Sequence, residues 1–95
     1  MRVTRTVWSI YRALADQGWV SAVEIARRVG MPRQNIKYAL GQMQEAGLLE
    51  RGETSPVHYR LSPNLTVQAA SLVTHIREAD SIFGVQTGKT HAHSN

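Results

Sequence analysis

Cysteine is absent from this chain of 95 residues, which excludes disulfide frameworks, thiolate zinc sites, iron–sulfur clusters and cysteine nucleophiles. Long apolar runs are absent as well. None approaches the roughly 18 residues that cross a bilayer, and residues 1–5 lack the hydrophobic block of a signal peptide. A chain of this length is expected to build one core. We therefore expect a single small domain in the reducing cytoplasm, with no membrane partner.

Acidic residues are few, and the basic excess is placed unevenly. Seven acidic residues stand against eleven lysines and arginines, which gives a net charge of +4 and a pI near 10.1. The part up to Pro63 holds nine basic and five acidic residues, whereas the rest is balanced. Between Arg27 and Lys37 there are four positive charges and no negative one, a density that favours a phosphate backbone. On charge alone, an ordinary solvated basic face is an equal alternative.

The residue patterns of enzymes and metal sites are also missing. The sequence has no glycine-rich phosphate loop, no paired carboxylates at helical spacing in a plausible cleft, and no recognisable Ser–His–Asp set. His91 and His93 could bind a metal only weakly, because no third ligand is nearby. His75 is more simply a surface or interface residue than a pH sensor. We therefore expect no enzymatic activity, no metal and no cofactor.

Hydrophobic periodicity predicts four helices. The first ends near Gln17, and the second begins at Ser21, where Ser21 and Glu24 have the spacing of a capping box, and ends at Gly30. The third covers 33–46. Its apolar residues repeat at helical steps, which places Gln34, Lys37, Tyr38 and Gly41 on the opposite, outward side.

A β-hairpin and a fourth helix follow. Residues 48–51 and 57–61 are predicted strands separated by turn-forming residues. The fourth helix has apolar residues at steps of four and three, which is a heptad pattern: Leu65, Ala69, Leu72, Ile76, Ala79 and Phe83. This pattern predicts dimerisation through the helix, although a helix that packs on its own domain would show it too. Residues 85–95 are polar and aperiodic, and we expect a disordered tail.

Two short helices joined by a tight turn and followed by a basic hairpin resemble the winged helix-turn-helix transcription regulators of the MarR, ArsR and GntR types. Residues 20–36 and 45–49, with Leu40 and Met43, carry the resemblance. It implies an α+β, mainly helical fold with three helices, a two-stranded wing and an added C-terminal helix. It also implies that helix 33–46 enters the major groove of DNA and that wing 49–61 meets the backbone or minor groove.

The resemblance and the residue chemistry together give a set of candidate DNA contacts. Glutamine and asparagine can pair with base edges in the major groove, and arginine or lysine can contact guanine or phosphate. The candidates are Arg28, Arg33, Gln34, Asn35, Lys37, Tyr38, Arg51 and Arg60. Two residues depart from the family pattern: Pro32 replaces the usual serine or threonine cap, and Glu53 lies at the wing tip.

Alternatives remain for single residues and for the whole chain. Arg33 could form a salt bridge at the helix start, Tyr38 could pack on the C-terminal helix, and Gly41 could make room for a neighbouring helix. The sequence predicts a winged-helix DNA-binding domain at 1–63, a dimerisation helix at 64–84 and a tail at 85–95. The expected function is sequence-specific binding of double-stranded DNA by a small homodimeric transcriptional regulator, such as a repressor. A protein-binding winged-helix module, or an accessory protein of replication or partition, is the alternative.

Overall fold

The computed structural model describes residues 1–84. Its elements in chain order are α1 (Arg5–Leu14), β1 (Val20–Ser21), α2 (Ala22–Val29), α3 (Arg33–Glu45), β2 (Leu49–Arg51), β3 (His58–Leu61), α4 (Val67–Glu78) and a π-helical turn (Asp80–Gly84). This order confirms the mainly helical winged-helix fold class. No helix in the described part of the chain is long and apolar enough to span a membrane. The tail predicted for 85–95 lies outside the described residues.

The sheet contains three strands, one more than the predicted wing. Its order is β1-β3-β2 with both pairings antiparallel, so that Val20 lies opposite Tyr59 and Leu49 opposite Leu61. The Gly52 N–H donates to the His58 carbonyl at 2.8 Å and closes the hairpin between β2 and β3. Because β1 leads directly into α2, the wing is joined by main-chain hydrogen bonds to the start of the helix-turn-helix.

Three of the four helices begin at a hydroxyl that accepts a main-chain N–H. Thr4 caps α1, Ser21 caps α2 and Thr66 caps α4, at 3.1–3.2 Å. Loss of such a cap typically costs about 1 kcal/mol. The residue before α3 is Pro32, which makes no side-chain cap. The turn from α2 to α3 instead depends on Gly30, whose φ of 67° is favourable for glycine.

Two local predictions are corrected. Helix α1 ends at Leu14 rather than near Gln17, because Ala15 is extended and Asp16 adopts a positive φ of 62°. The capping box at the start of α2 is half formed. The Ser21 hydroxyl accepts the Glu24 N–H as predicted, but the Glu24 carboxylate binds arginine side chains instead of turning back to the helix start.

The core is centred on α1, which packs against α2, α3 and α4. In the predicted apolar stripe of the first helix, Val7, Ile10 and Leu14 are fully buried, whereas Val3 and Tyr11 are partly buried. The stripe of α3 is buried as predicted. The buried cluster is Val7, Ile10, Leu14, Val20, Ile25, Ile36, Ala39, Leu40, Met43, Leu48, Leu49, Ala69 and Ile76. Burial of one side of α3 in this cluster leaves its other side open to solvent.

Helix α4 differs most from its prediction. It begins at Val67, so Leu65 precedes the helix, and it gives way after Glu78 to the π-helical turn that contains Phe83. A heptad pattern requires one continuous helix, and the six predicted seam residues do not lie on one. The turn at 80–84 is held on α1: the Trp8 indole N–H donates to Asp80, and the Trp8 and Phe83 ring centroids are 5.4 Å apart.

The predicted dimer residues divide by burial. Ala69 and Ile76 are fully buried in the core of their own chain, and Ala79 is 8% exposed. Leu72 and Phe83 are half-buried, and Leu65 is 40% exposed. Packing of the helix on its own domain, the alternative kept open above, accounts for the buried members of the set. Dimerisation stays a prediction that concerns the accessible members.

Candidate nucleic-acid interface

The exposed face of α3 carries five of the eight candidate DNA contacts. All five side chains are exposed, and they occupy the first two turns: Arg33, Gln34, Asn35, Lys37 and Tyr38. Gln34, Lys37 and Tyr38 point outward because Ile36, Leu40 and Met43 on the opposite side are buried in the core, whereas Arg33 is exposed as the first residue of the helix. The outward orientation expected from helical geometry is therefore what the structure shows. We call this surface the α3 outer face.

Tyr38 and Gly41 lie on the α3 outer face, and no other element among residues 1–84 covers them. Tyr38 is 70% exposed, and its hydroxyl accepts a hydrogen bond from the Gln42 side chain at 3.2 Å. A Cβ placed on Gly41 would meet nothing within 4 Å. The alternatives in which Tyr38 packs on the C-terminal helix and Gly41 makes room for a neighbouring helix are therefore wrong. Because Gly41 has no side chain, the backbone of α3 is accessible there.

Three candidate cations have no carboxylate partner in the described part of the chain. Among residues 1–84, no carboxylate oxygen lies within 4.0 Å of the charged groups of Arg33, Lys37 or Arg51. The suggested salt bridge at the start of α3 is thus not formed within that part of the chain. Arg33 and Lys37 extend from α3, and Arg51 ends β2 at the base of the wing. A phosphate could bind these groups without displacing an internal partner.

Arg28 and Arg60, in contrast, are paired within the chain. The Arg28 Nε donates to the Glu24 carboxylate at 2.8 Å, and its Nη1 donates to the Ala13 carbonyl at 3.3 Å. The Arg60 Nε donates to Glu50 Oε1 at 2.7 Å, and the Arg60 Nη2 forms an ion pair with the same oxygen, also at 2.7 Å. These two predicted DNA contacts are therefore engaged in holding α2 on α1 and the strands of the wing on each other.

The Trp19 ring stacks on the Arg60 guanidinium. The guanidinium carbon lies 4.6 Å from the centroid of the Trp19 ring. The ring edge also approaches Gly52, where an added Cβ would lie 3.4 Å from it. Cation–π stacking and the ion pair with Glu50 act on the same guanidinium, so its orientation is set by the protein before any ligand binds.

Glu24 accepts hydrogen bonds from two arginines at once. Its carboxylate receives the Arg27 Nε at 2.9 Å, the Arg27 Nη2, and the Arg28 Nε at 2.8 Å. These hydrogen bonds lower the pKa of Glu24 from its ordinary 4.5 to about 2. The hydrogen bonds from Arg27 are the larger cause, and the one from Arg28 is the second. The carboxylate is consequently ionised throughout the neutral range.

A sequence model of the MarR family matches residues 3–60, which is more than half of the chain and includes α1, the helix-turn-helix and most of the wing. The chain belongs to the MarR family. The resemblance noted from the sequence is thereby confirmed, and the MarR type is the one of the three that applies. No curated protein sequence matches the chain significantly.

Several proteins of known structure have the same fold as this MarR-family chain. The transcriptional regulator BldR from Sulfolobus solfataricus is 19% identical with a TM-score of 0.66, over 97% of this chain and 63% of BldR. BpsR from Bordetella bronchiseptica is 17% identical with a TM-score of 0.65, over 93% of this chain and 64% of BpsR. ZitR from Lactococcus lactis is 22% identical with a TM-score of 0.61, over 94% and 63%. The chain spans slightly less than two thirds of each relative.

The structure adds residues to the site that the sequence reasoning did not include. Arg27, Gln42 and Trp19 each contact a predicted site residue or its partner. Arg27 and Arg28 follow Glu24 at the i+3 and i+4 positions of one helix, which is a spacing that indicates side-chain pairing. The sequence of this MarR-family chain therefore contained a signal for the Glu24 pairs. It contained no signal for the contact between Trp19 and Arg60, which are 41 positions apart.

Proposed function

We propose that this MarR-family chain is a homodimeric transcriptional regulator of the cytoplasm that binds double-stranded DNA sequence-specifically. The observation that carries the proposal is the α3 outer face, where amide, phenol and unpaired cationic side chains extend from a helix whose other side is buried. The helix predicted at 33–46 would enter the major groove, and the wing at 49–61 would lie on the backbone or in the minor groove. BpsR is described as having a regulated DNA-binding activity, and BldR as a transcriptional regulator.

The residue types on the α3 outer face match the donor and acceptor pattern of base edges. Gln34 and Asn35 can each form paired hydrogen bonds to adenine, and Arg33 or Lys37 can donate to the acceptors of guanine. In the wing, Arg51 has no carboxylate partner among residues 1–84 and suits a phosphate. Arg28 and Arg60 would contact the backbone only as members of their ion pairs.

Dimerisation is the second part of the proposal. We assign DNA binding to 1–63 and self-association to 64–84, with Leu65 and Leu72 as the apolar side chains of the predicted seam that precede or lie on α4 and keep accessible surface. A two-fold dimer would present two copies of α3 to one side of a duplex. The operator would then be an inverted repeat with half-sites about ten base pairs apart or a multiple of that.

Selection of bound duplexes from a random DNA pool at two salt concentrations tests both parts. We expect an enriched inverted repeat and affinity that falls steeply with salt, because released counterions contribute much of the binding free energy. The double variant Gln34→Ala, Lys37→Ala should lose the enrichment and remain dimeric by analytical ultracentrifugation. Arg77→Ala, which removes an exposed cation of α4, is the matched control and should retain it. An unchanged pool with the double variant would reject DNA reading by Gln34 and Lys37, and a wild-type chain that enriches no sequence would favour the protein-binding module.

The position of the bound sites in the genome separates regulation from replication or partition. A repressor is expected to occupy sites that overlap promoters, and its deletion should raise transcription from them. Occupancy confined to a replication origin or a partition locus, with transcription unchanged, would contradict the regulatory part of the proposal. It would leave sequence-specific DNA binding in place.

A further inference from the structure

A carboxylate in the first turn of α2 is shared by two arginines in the last turn of the same helix, which precedes the helix proposed to read DNA. Glu24 accepts three hydrogen bonds from Arg27 and Arg28, so three charged side chains form one cluster with a net charge of +1. The cluster is at the surface: the side chains of Arg27, Arg28 and Glu24 are 70%, 36% and 29% exposed. None of the candidate contacts on α3 has a comparable internal partner among residues 1–84.

The cluster lies close to the α3 outer face along the chain. Only residues 29–32 separate Arg28 from Arg33, and five residue steps span at most about 18 Å. In a helix-turn-helix the helix before the recognition helix crosses the DNA backbone. Phosphates beside the first turn of α3 are therefore within reach of the long side chains in the last turn of α2.

The two arginines differ in what else holds them. Arg28 has a second partner, the Ala13 carbonyl in α1, and is the less exposed of the two. Arg27 is held by Glu24 alone among the described residues and is largely open to solvent. A phosphate that approaches the cluster would first attract Arg27, because release of Arg27 breaks no contact with another helix.

We propose that Glu24 is a specificity-determining residue, whose carboxylate competes with DNA phosphate for Arg27 and so weakens binding to non-operator DNA. This inference rests on the proposed DNA-binding function. Non-specific binding depends almost entirely on phosphate contacts and counterion release. A carboxylate that repels phosphate and occupies Arg27 removes about one such contact from every sequence. Operator binding, in which base contacts by α3 also contribute, loses a smaller share.

Glu24→Gln tests the proposal, because the variant keeps an oxygen acceptor and removes the charge. The Ser21 cap is retained, since it uses the main-chain N–H of residue 24. Equilibrium dissociation constants are measured for the enriched operator and for a random-sequence duplex of equal length, over a series of salt concentrations. We expect random-duplex affinity to rise about three- to tenfold at low salt, with the logarithmic salt slope steeper by about one. The ratio of operator to random affinity should fall.

Two controls separate competition from other effects of the substitution. Glu78→Gln makes the same change of net charge on exposed α4 and should alter random-duplex affinity less than twofold. Arg27→Ala should have little effect in the wild-type background and should abolish the gain in the Glu24→Gln background, which is a double-mutant cycle. If Glu24 only oriented Arg27 for DNA, Glu24→Gln would lower the affinity.

The outcomes separate this inference from the proposed function. Unchanged or lower random-duplex affinity in Glu24→Gln, or an equal rise in Glu78→Gln, overturns the role of Glu24 while wild-type operator binding remains. A wild-type chain that binds neither duplex overturns both proposals. An unfolded variant would be recognised by circular dichroism, and the Arg27→Ala variant in the wild-type background then decides: a loss greater than threefold contradicts competition.

Discussion

The five cations proposed to contact DNA fall into two groups that the net charge does not distinguish. Arg33, Lys37 and Arg51 have no carboxylate partner among residues 1–84, whereas Arg28 and Arg60 are hydrogen-bonded to glutamates of their own chain. Each of these five side chains adds one positive charge to the total, whichever group it belongs to. They differ in what binding a phosphate requires, because a paired guanidinium must give up or share its partner. Among the five candidates, the cations without a carboxylate partner in residues 1–84 lie on α3 and at the base of the wing.

Charge reversal at an unpaired cation of α3 should have the largest effect on operator affinity. Arg33→Glu removes an unpaired cation and places a carboxylate against the phosphate or base that it would contact, so we expect a loss of about 3 kcal/mol, or roughly a hundredfold in operator affinity. Fluorescence anisotropy with labelled operator measures it. Arg77→Glu on α4 makes the same change of charge and should lose less than threefold. Equal losses would show that net charge alone governs binding, and the two-group comparison would then fail.

The buried residues of α1 and α3 could be predicted from the sequence, because a small domain has only one core in which their apolar side chains can pack. Val7, Ile10 and Leu14 repeat at helical spacing in a small domain with one core, and the structure buries all three. The same argument places Tyr38 outside. Periodicity identifies the polar face as well as the apolar one, so the exposed set on α3 follows from the sequence before any contact is known.

The covering of α4 could not be predicted in the same way. Its apolar repeat indicates which face is buried, but a second chain and the chain's own core satisfy that face equally well. Ile76 is fully buried within its own chain, where α4 packs against α1. Its burial therefore depends on the position of α1, which the sequence of α4 does not contain. The π-helical turn at 80–84 changes the helical period, and its position depends on the Trp8–Asp80 hydrogen bond between residues 72 positions apart.

The pairing of cations was only partly accessible to sequence reasoning. Glu24 with Arg27 and Arg28 is a local pattern within one helix, but the capping-box interpretation assigned the carboxylate to the helix start. Glu50 and Arg60 lie on two strands, and they meet only because the β2–β3 register places them opposite each other. A hairpin register depends on the geometry of its turn, which the sequence of the wing does not determine by simple alternation.

Arg51 and Arg60 allow the comparison to be sharpened within one hairpin. Arg51→Ala removes an unpaired cation and should lower operator affinity about three- to tenfold with the thermal midpoint nearly unchanged. Arg60→Ala removes a partly exposed ion pair with Glu50 and the stacking on Trp19. Together these contribute about 1 kcal/mol, so the midpoint should fall by about 5 °C while affinity changes less than threefold.

Differential scanning calorimetry and anisotropy on the same two variants provide the test. The expected pattern is a crossed one, in which each variant affects the property that the other leaves alone. Loss of affinity in Arg60→Ala as large as in Arg51→Ala, with both midpoints unchanged, would mean that the ion pair with Glu50 opens at no cost. The paired and unpaired groups would then be equivalent in the wing, and the contrast would be limited to α2 and α3.

The smallest effect is expected from titration of Glu24, which measures the pairing without DNA. Because hydrogen bonds from Arg27 and then Arg28 lower the pKa of Glu24 to about 2, the folded chain binds this proton less readily than the unfolded chain, whose carboxyl titrates near 4.5. The pair therefore contributes its full stabilisation above pH 4.5 and loses it as the pH falls towards 2. Glu24→Gln should lack this component, so its urea concentration of half-unfolding should change less with pH between those two values.

Side-chain carboxyl NMR of the wild type should place the titration midpoint of the Glu24 carboxyl well below pH 4.5. A salt concentration of about 1 M should move this midpoint upwards, because both arginines are exposed and their charges are screened. A midpoint near 4.5 would show that Arg27 is not held by Glu24 in solution. Arg27 would then join the unpaired cations, and the proposed competition with phosphate would lose its basis.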